Sequence, residues 1–223
     1  ICIAWGMLWG ALFLGDSITW YKIVGSLIVA VVSQISAAAF PDVRSEIQDG
    51  DASLQGPIAL AFENVVKNHV LRQDPVYLSE CFKDRTEVDF WQTEFWGKYM
   101  HSAAPFWSIT KCSQLKPRID AGFENVVSAQ LENGYIGNYI ESRRSAPGGW
   151  DVWGIKYTMM GLLHYYDGER GSEKGKRALE SCRRLCDYVI AEIGPNGKRG
   201  RELWQTGNWS GYASSSILEP VMW

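Results

Sequence analysis

The sequence predicts an all-α fold, arranged as a partial toroid of helical hairpins. Three observations carry this. The stretch WDVWGIKYTMMGLLHYYD (150–167) places Trp153, Tyr157, Met160, Gly161 and His164 on one stripe at helical spacing. It lies between two polar loops, SRRSAPGG and DGERGSEKG, as half of a helical hairpin does. Trp91, Trp150 and Trp209 fall 59 positions apart, each near the start of an expected helix. A period of tens of residues in helix pairs is the mark of a helical array or toroid. Strand signals are nearly absent.

Residues 1–39 are unlike the rest. Ile1 to Gly15 is nearly all apolar, and Lys22 opens a second apolar run that ends in Ser36, Ala37, Ala38 and Ala39. A lysine, an apolar stretch and small residues have the form of a secretory signal, read here within 22–39. Secretion is the first reading; an uncleaved membrane anchor through this apolar leader is the alternative. Both runs fall short of the ~20 clean apolar residues a span prefers. The part upstream of residue 22 lacks a preceding positive region and reads as sequence upstream of the true start or as a mis-joined segment. Residues 40–56 are polar and turn-rich, a linker or extended arm. The folded part is expected to occupy 57–223.

A first helix runs through IALAFENVVKNHVL and breaks at Asp74-Pro75, with a short helix or turn in VYLSECFKDR. In the next helix Trp91, Phe95, Tyr99 and Ser102 share a face, and Pro105 is expected to kink or end it. LKPRIDAGFENVVSAQLENG places Ile119, Phe123, Val126, Val127 and Gln130 on one face and stops at Asn133-Gly134. A loop follows, with an extended piece at Tyr135 to Tyr139. After the central helix, GKRALESCRRLCDYVIAEIG forms another, stopped by Gly194-Pro195. ASSSILEPVMW begins a last helix, capped by Ser214 or Ser215 and kinked at Glu219-Pro220, and the chain is expected to end inside it as a truncated toroid.

Charged residues are 21% and hydrophobic ones 46%, an ordinary balance for a globular domain. A net charge of -3 with no basic run gives no support to a nucleic-acid partner. The unusual feature is 11 Trp. A tryptophan beside a loop can stack a flat, polar-edged ligand such as a sugar while its N–H finds a partner. The alternative is that these rings simply fill a helical core. The five cysteines include no CxxC pair, and Cys182, Cys186, Ala178, Leu185 and Val189 share one face, which reads as core packing. Two ligands alone do not close a zinc site.

Four strings in order, WQTEFWGKYMHSA (91–103), AQLENGYIGNY (129–139), WDVWGIKYTMMGLLHYYD (150–167) and TGNWSGYASSSILEP (206–220), resemble the N-terminal half of the glycoside hydrolase family 127 catalytic domain. This is the β-L-arabinofuranosidase-like group, and the resemblance covers residues 57–223. It implies an (α/α)6 toroid of the six-hairpin glycosidase type and an arabinose-containing or related plant-type glycan as partner. It also implies a retaining mechanism, in which a zinc-held cysteine thiolate attacks the anomeric carbon and a glutamate serves as acid/base. Zinc would lower the thiol pKa and hold the nucleophile. None of the five cysteines here matches that motif, so no nucleophile, acid/base or metal ligand is assigned, and zinc is implied only for the other half of such a domain. Arabinofuranosidases of this group carry a Gly-His pair in the central helix. Here Gly161 is followed by Leu162, a departure that bears on the substrate.

The candidate substrate-binding residues are Glu94, Trp150, Trp153, Trp209 and Glu219. Glu94 sits at a helix entrance, where it can accept from a sugar hydroxyl or simply complement the helix dipole. Trp150 and Trp153 can stack a sugar ring or pack the core, and Asn208, Trp209 and Ser215 share that choice at the third mouth. Lys156 can pair with Asp151 or reach the rim. His164 reads as a satisfied core histidine. Glu219 is a lone carboxylate, and one carboxylate is not a glycosidase pair. Three functions fit: a glycoside hydrolase, a non-catalytic carbohydrate-binding toroid, and a helical scaffold for protein partners.

Overall fold

The computed structural model describes residues 55–223, so the leader and nearly all of the arm expected at 40–56 lie outside the described residues. Regular structure among the described residues is helical, with no strand beyond two isolated parallel bridges. Helix α1 (Gly56–Asn68) opens with Pro57 in its first turn, where a missing N–H costs nothing. Asp74 caps α2 (Pro75–Ser79), its carboxylate accepting from the amides of Val76 at 3.0 Å and Tyr77 at 3.4 Å. Helix α3 (Cys81–Asp84) stops at Arg85, which takes a left-handed φ of 45°.

Helix α4 (Thr93–Thr110) does not end at Pro105; it runs on to Lys111. Its buried side is Trp96, Tyr99, Met100 and Ala103, while Trp91, Phe95 and Ser102 are exposed. Of the face expected from the sequence only Tyr99 is inside. Two aromatic stripes one residue apart run along this segment, and periodicity does not choose between them. Helix α5 (Leu115–Ser128) buries Ile119, Phe123 and Val126 as expected but ends well before Gly134. The intervening turn closes on itself through Gly134 N–H to Leu131 O and Leu131 N–H to Tyr135 O. Gln130 is not a helix residue: its amide reaches the Ser181 carbonyl at 3.0 Å.

Helices α6 (Asp151–Gly168) and α7 (Glu173–Glu192) form the second hairpin, with the Ser172 hydroxyl capping α7. Ala178, Cys182 and Leu185 of α7 are buried in the common core. The last expected helix is instead two short turns, α8 (Tyr212–Ser215) and α9 (Leu218–Val221). Ser214 and Ser215 are not caps. Gly211, at φ 79°, starts α8, and the Ser215 hydroxyl turns back to the Tyr212 carbonyl, closing a local turn rather than opening a helix.

The hairpins repeat. α4 begins at Thr93 and α6 at Asp151; α5 begins at Leu115 and α7 at Glu173; both steps are 58 residues. Glu94 meets Trp153 and His101 meets His164, so α4 and α6 run parallel. Asp120 meets Lys174 and Glu124 meets Arg177, so α5 and α7 do as well. Glycines allow the close approach of α4 and α6. A Cβ on Gly97 would strike the Tyr157 backbone, and one on Gly154 would strike the Thr93 side chain. Because α4 and α6 point the same way, the loops that precede them emerge at one rim.

Candidate functional site: an aromatic rim over two parallel helices

At that rim the tryptophans from three successive loops meet. The Trp91 and Trp150 rings are 5.5 Å apart at 69°, and Trp150 and Trp209 are 5.3 Å apart at 88°. Trp150 also lies 5.8 Å from Trp153, which is 5.2 Å from Tyr157. All are edge-to-face contacts, the favoured geometry for aromatic quadrupoles. The cluster stays open to solvent, since Trp91 is 41% and Trp209 68% exposed.

Charged groups line the inner side. Glu94, in the first turn of α4, is only 6% exposed, and its carboxylate is met by two donors. The Trp153 indole N–H donates to one oxygen, and the Lys98 ammonium lies 3.0 Å from the other. Tyr157 sits among cations: Lys98 Nζ is 4.9 Å and Lys156 Nζ 4.5 Å from its ring centre. Lys156 is buried and ion-pairs with Glu219 at 3.0 Å. The alternative pairing with Asp151 does not occur, because Asp151 is occupied elsewhere. The five residues singled out in the sequence, Glu94, Trp150, Trp153, Trp209 and Glu219, are thus joined in one cluster through direct contacts and Lys156.

Asn208 lies at the third loop, donating from Nδ2 to the Gly149 carbonyl at 3.3 Å. His164 does not behave as a satisfied core histidine. It is half-buried, stacks on His101 at 4.3 Å, and its Nε2 has no hydrogen-bond partner among the described residues. Burial, then the facing His101, hold its pKa below the usual imidazole range. Leu162, where the resemblance would place a histidine, is fully buried in the core.

Beneath the rim lies a polar network. The Asp151 carboxylate accepts from the Tyr135 hydroxyl at 2.7 Å and the Ser145 amide at 3.0 Å. Burial pushes its pKa up to about 6 against those hydrogen bonds. Tyr139 donates from its hydroxyl to the Phe90 carbonyl and accepts from the Trp150 amide, each at 2.9 Å. The loop carrying these residues is therefore interior, with Tyr135, Asn138, Tyr139, Arg144 and Ser145 buried. The sequence predicts a loop here, with an extended piece at Tyr135 to Tyr139, and does not say which way it faces. The repeated tyrosines of YIGNY, each needing a partner for its hydroxyl, were the signal. Lys98 was also missed, although it lies one helical turn from Glu94.

Residues 58–208 match the family model for the β-L-arabinofuranosidase, GH127 catalytic domain. The chain belongs to this family. No curated protein and no solved structure matches it. Membership makes it a glycoside hydrolase relative with a carbohydrate substrate, and the aromatic rim is chemically suited to one.

The zinc-thiolate group that the resemblance implies does not fit the described residues. No cluster of three His, Cys, Asp or Glu side chains able to hold a metal occurs among them. Cys182 lies in the core, where burial pushes its thiol up to about 12. Burial likewise raises Cys186 and raises Cys81 to about 12. No step through zinc is assigned to these residues.

Proposed function

We propose that the rim of Trp91, Trp150, Trp153 and Trp209 is the sugar-binding mouth of a secreted glycoside hydrolase domain acting on arabinose-containing glycans. The observation that supports it is the convergence of three loop tryptophans at one open edge of a GH127-family chain. Exposed indole faces stack on the C–H faces of a pentose, while Glu94 and Glu219 can accept from its hydroxyls and Lys98 can donate. Secretion rests on the lysine, apolar and small-residue pattern of 22–39, which lies outside the described residues.

Titration of the chain with arabino-oligosaccharides, followed by tryptophan emission, tests this. Saturable quenching is expected, and Trp150→Ala is expected to remove most of it by deleting the ring that touches Trp91, Trp153 and Trp209. No response to any such sugar overturns the reading.

A second reading, a carbohydrate-binding domain without turnover, is favoured by the state of Glu94. Its carboxylate is held by the Trp153 indole N–H and the Lys98 ammonium, as a binding group is, and no nucleophile is assigned beside it among the described residues. Release of the aglycone from an aryl arabinofuranoside by the purified chain distinguishes the two: turnover supports the hydrolase, and quenching without turnover supports the binding domain.

A further inference from the structure

The rim tryptophans come from loops that several hydrogen bonds join, among them the Glu87 amide to the Asn138 carbonyl and the Ile140 amide to the Glu87 carbonyl, each at 3.0 Å. Tyr139 makes the bonds that reach the residue before Trp91 and Trp150 itself. It is 1% exposed, and its hydroxyl both donates to the Phe90 carbonyl and accepts from the Trp150 amide, each at 2.9 Å. Phe90 immediately precedes Trp91, so one oxygen atom ties the backbone beside Trp91 to the backbone of Trp150. Tyr139 is itself fixed at several points. Its amide donates to the Tyr135 hydroxyl at 3.1 Å, and Tyr135 donates in turn to Asp151. Arg144 Nε donates to the Tyr139 carbonyl at 3.2 Å. A short parallel bridge pairs Glu87 with Tyr139 alongside.

We infer that Tyr139 is a positioning residue for sugar binding, whose buried hydroxyl sets the spacing and tilt of Trp91 against Trp150. This rests on the reading of the rim as a sugar-binding mouth. Trp91 precedes α4 and is 41% exposed, so its ring has little to hold it apart from Phe90 and Trp150. Removing the hydroxyl leaves the Phe90 carbonyl and the Trp150 amide without their shared partner, and the backbone beside Trp91 loses its direct link to Trp150 while the bonds at Glu87 and Arg143 remain. The aromatic face presented to a ligand then changes although no ligand-touching side chain has been altered.

The test is Tyr139→Phe in the full 223-residue chain, with two readouts. The first is the near-ultraviolet circular dichroism of the coupled tryptophans without sugar. The second is the Kd for an arabino-oligosaccharide from tryptophan emission. The expected result is an unchanged far-ultraviolet spectrum, loss of the Trp91–Trp150 contribution to the coupled tryptophan band, and affinity weakened by about tenfold. Trp91→Phe added to this variant is expected to change the band no further, although Trp91→Phe alone removes that contribution. An unchanged band together with an unchanged Kd overturns the proposal. If the unaltered chain binds no sugar, the mouth reading fails, and the band in Tyr139→Phe still decides whether Tyr139 positions the rings. If Tyr139→Phe does not fold, amide exchange in the unaltered chain decides: protection of the Trp150 amide supports the proposal, and exchange at the rate of an unstructured peptide overturns it.

Discussion

Glu94 and Asp151 are both buried acids in the first turns of parallel helices, and their neighbours give them different roles. Glu94 has an ammonium and an indole N–H against its two oxygens and faces the rim. Asp151 has a phenol and a backbone amide, both neutral donors, and lies beneath the rim. Neutral donors offset less of the desolvation cost than a cation at hydrogen-bond distance, and burial raises the Asp151 carboxyl from 3.8 to about 6. The folded chain therefore binds a proton more tightly there than the unfolded chain does. Its contribution to stability is full below about pH 4 and is lost as pH rises through about 6, on the order of 3 kcal/mol in all. Urea midpoints between pH 4 and pH 7 should fall less steeply in Asp151→Asn than in the unaltered chain. Equal slopes would show that the carboxyl titrates as it does in a free peptide.

The pairing of α4 with α6 depends on what is missing from their interface. Gly97, Gly154 and Gly161 bring the two helices close enough for Glu94 to reach Trp153. At Gly97 an added methyl meets the Tyr157 carbonyl, a backbone group that cannot swing aside. Alanine would gain up to about 1 kcal/mol of helix propensity there. Overpacking typically costs about 1–3 kcal/mol and should outweigh that gain. Gly97→Ala is therefore expected to lower the urea midpoint and to disturb the Lys98–Tyr157 and Glu94–Trp153 contacts together. A variant at least as stable as the parent, with unaltered tryptophan emission, would mean that the helices can part without loss. The glycines are visible in the sequence, but helix propensity counts against each of them. Their purpose emerges only when a second helix lies alongside.

Across the described structure, one hydrophobic core runs from Val66 of α1 to Ile217, just before α9, and takes in α7 through Ala178, Cys182 and Leu185. A core shared in this way should open as a unit. Cys182 is expected to resist thiol reagents until the urea concentration that unfolds the helices. Labelling well below that midpoint would show α7 detaching by itself. The all-α class, the existence and order of the five long helices, and the tryptophan period were legible in the sequence, although α5 stops at Ser128 rather than at Asn133-Gly134. Their signals are local or strictly periodic: apolar spacing of 3.6, proline and glycine punctuation, and a recurring Trp. The convergence of Trp91, Trp150 and Trp209 was legible for the same reason, since a repeat in a hairpin array brings equivalent positions to the same edge. Tertiary structure alone decided which face of α4 is buried, that Lys156 pairs with Glu219 rather than Asp151, and that the YIGNY loop lies inside. Each of these depends on what a residue meets 40 or more positions away, as Glu94 meets Trp153 across 59 and Tyr139 meets Phe90 across 49. Such a partner is chosen by packing, and packing leaves no mark in the residues near one end of the contact.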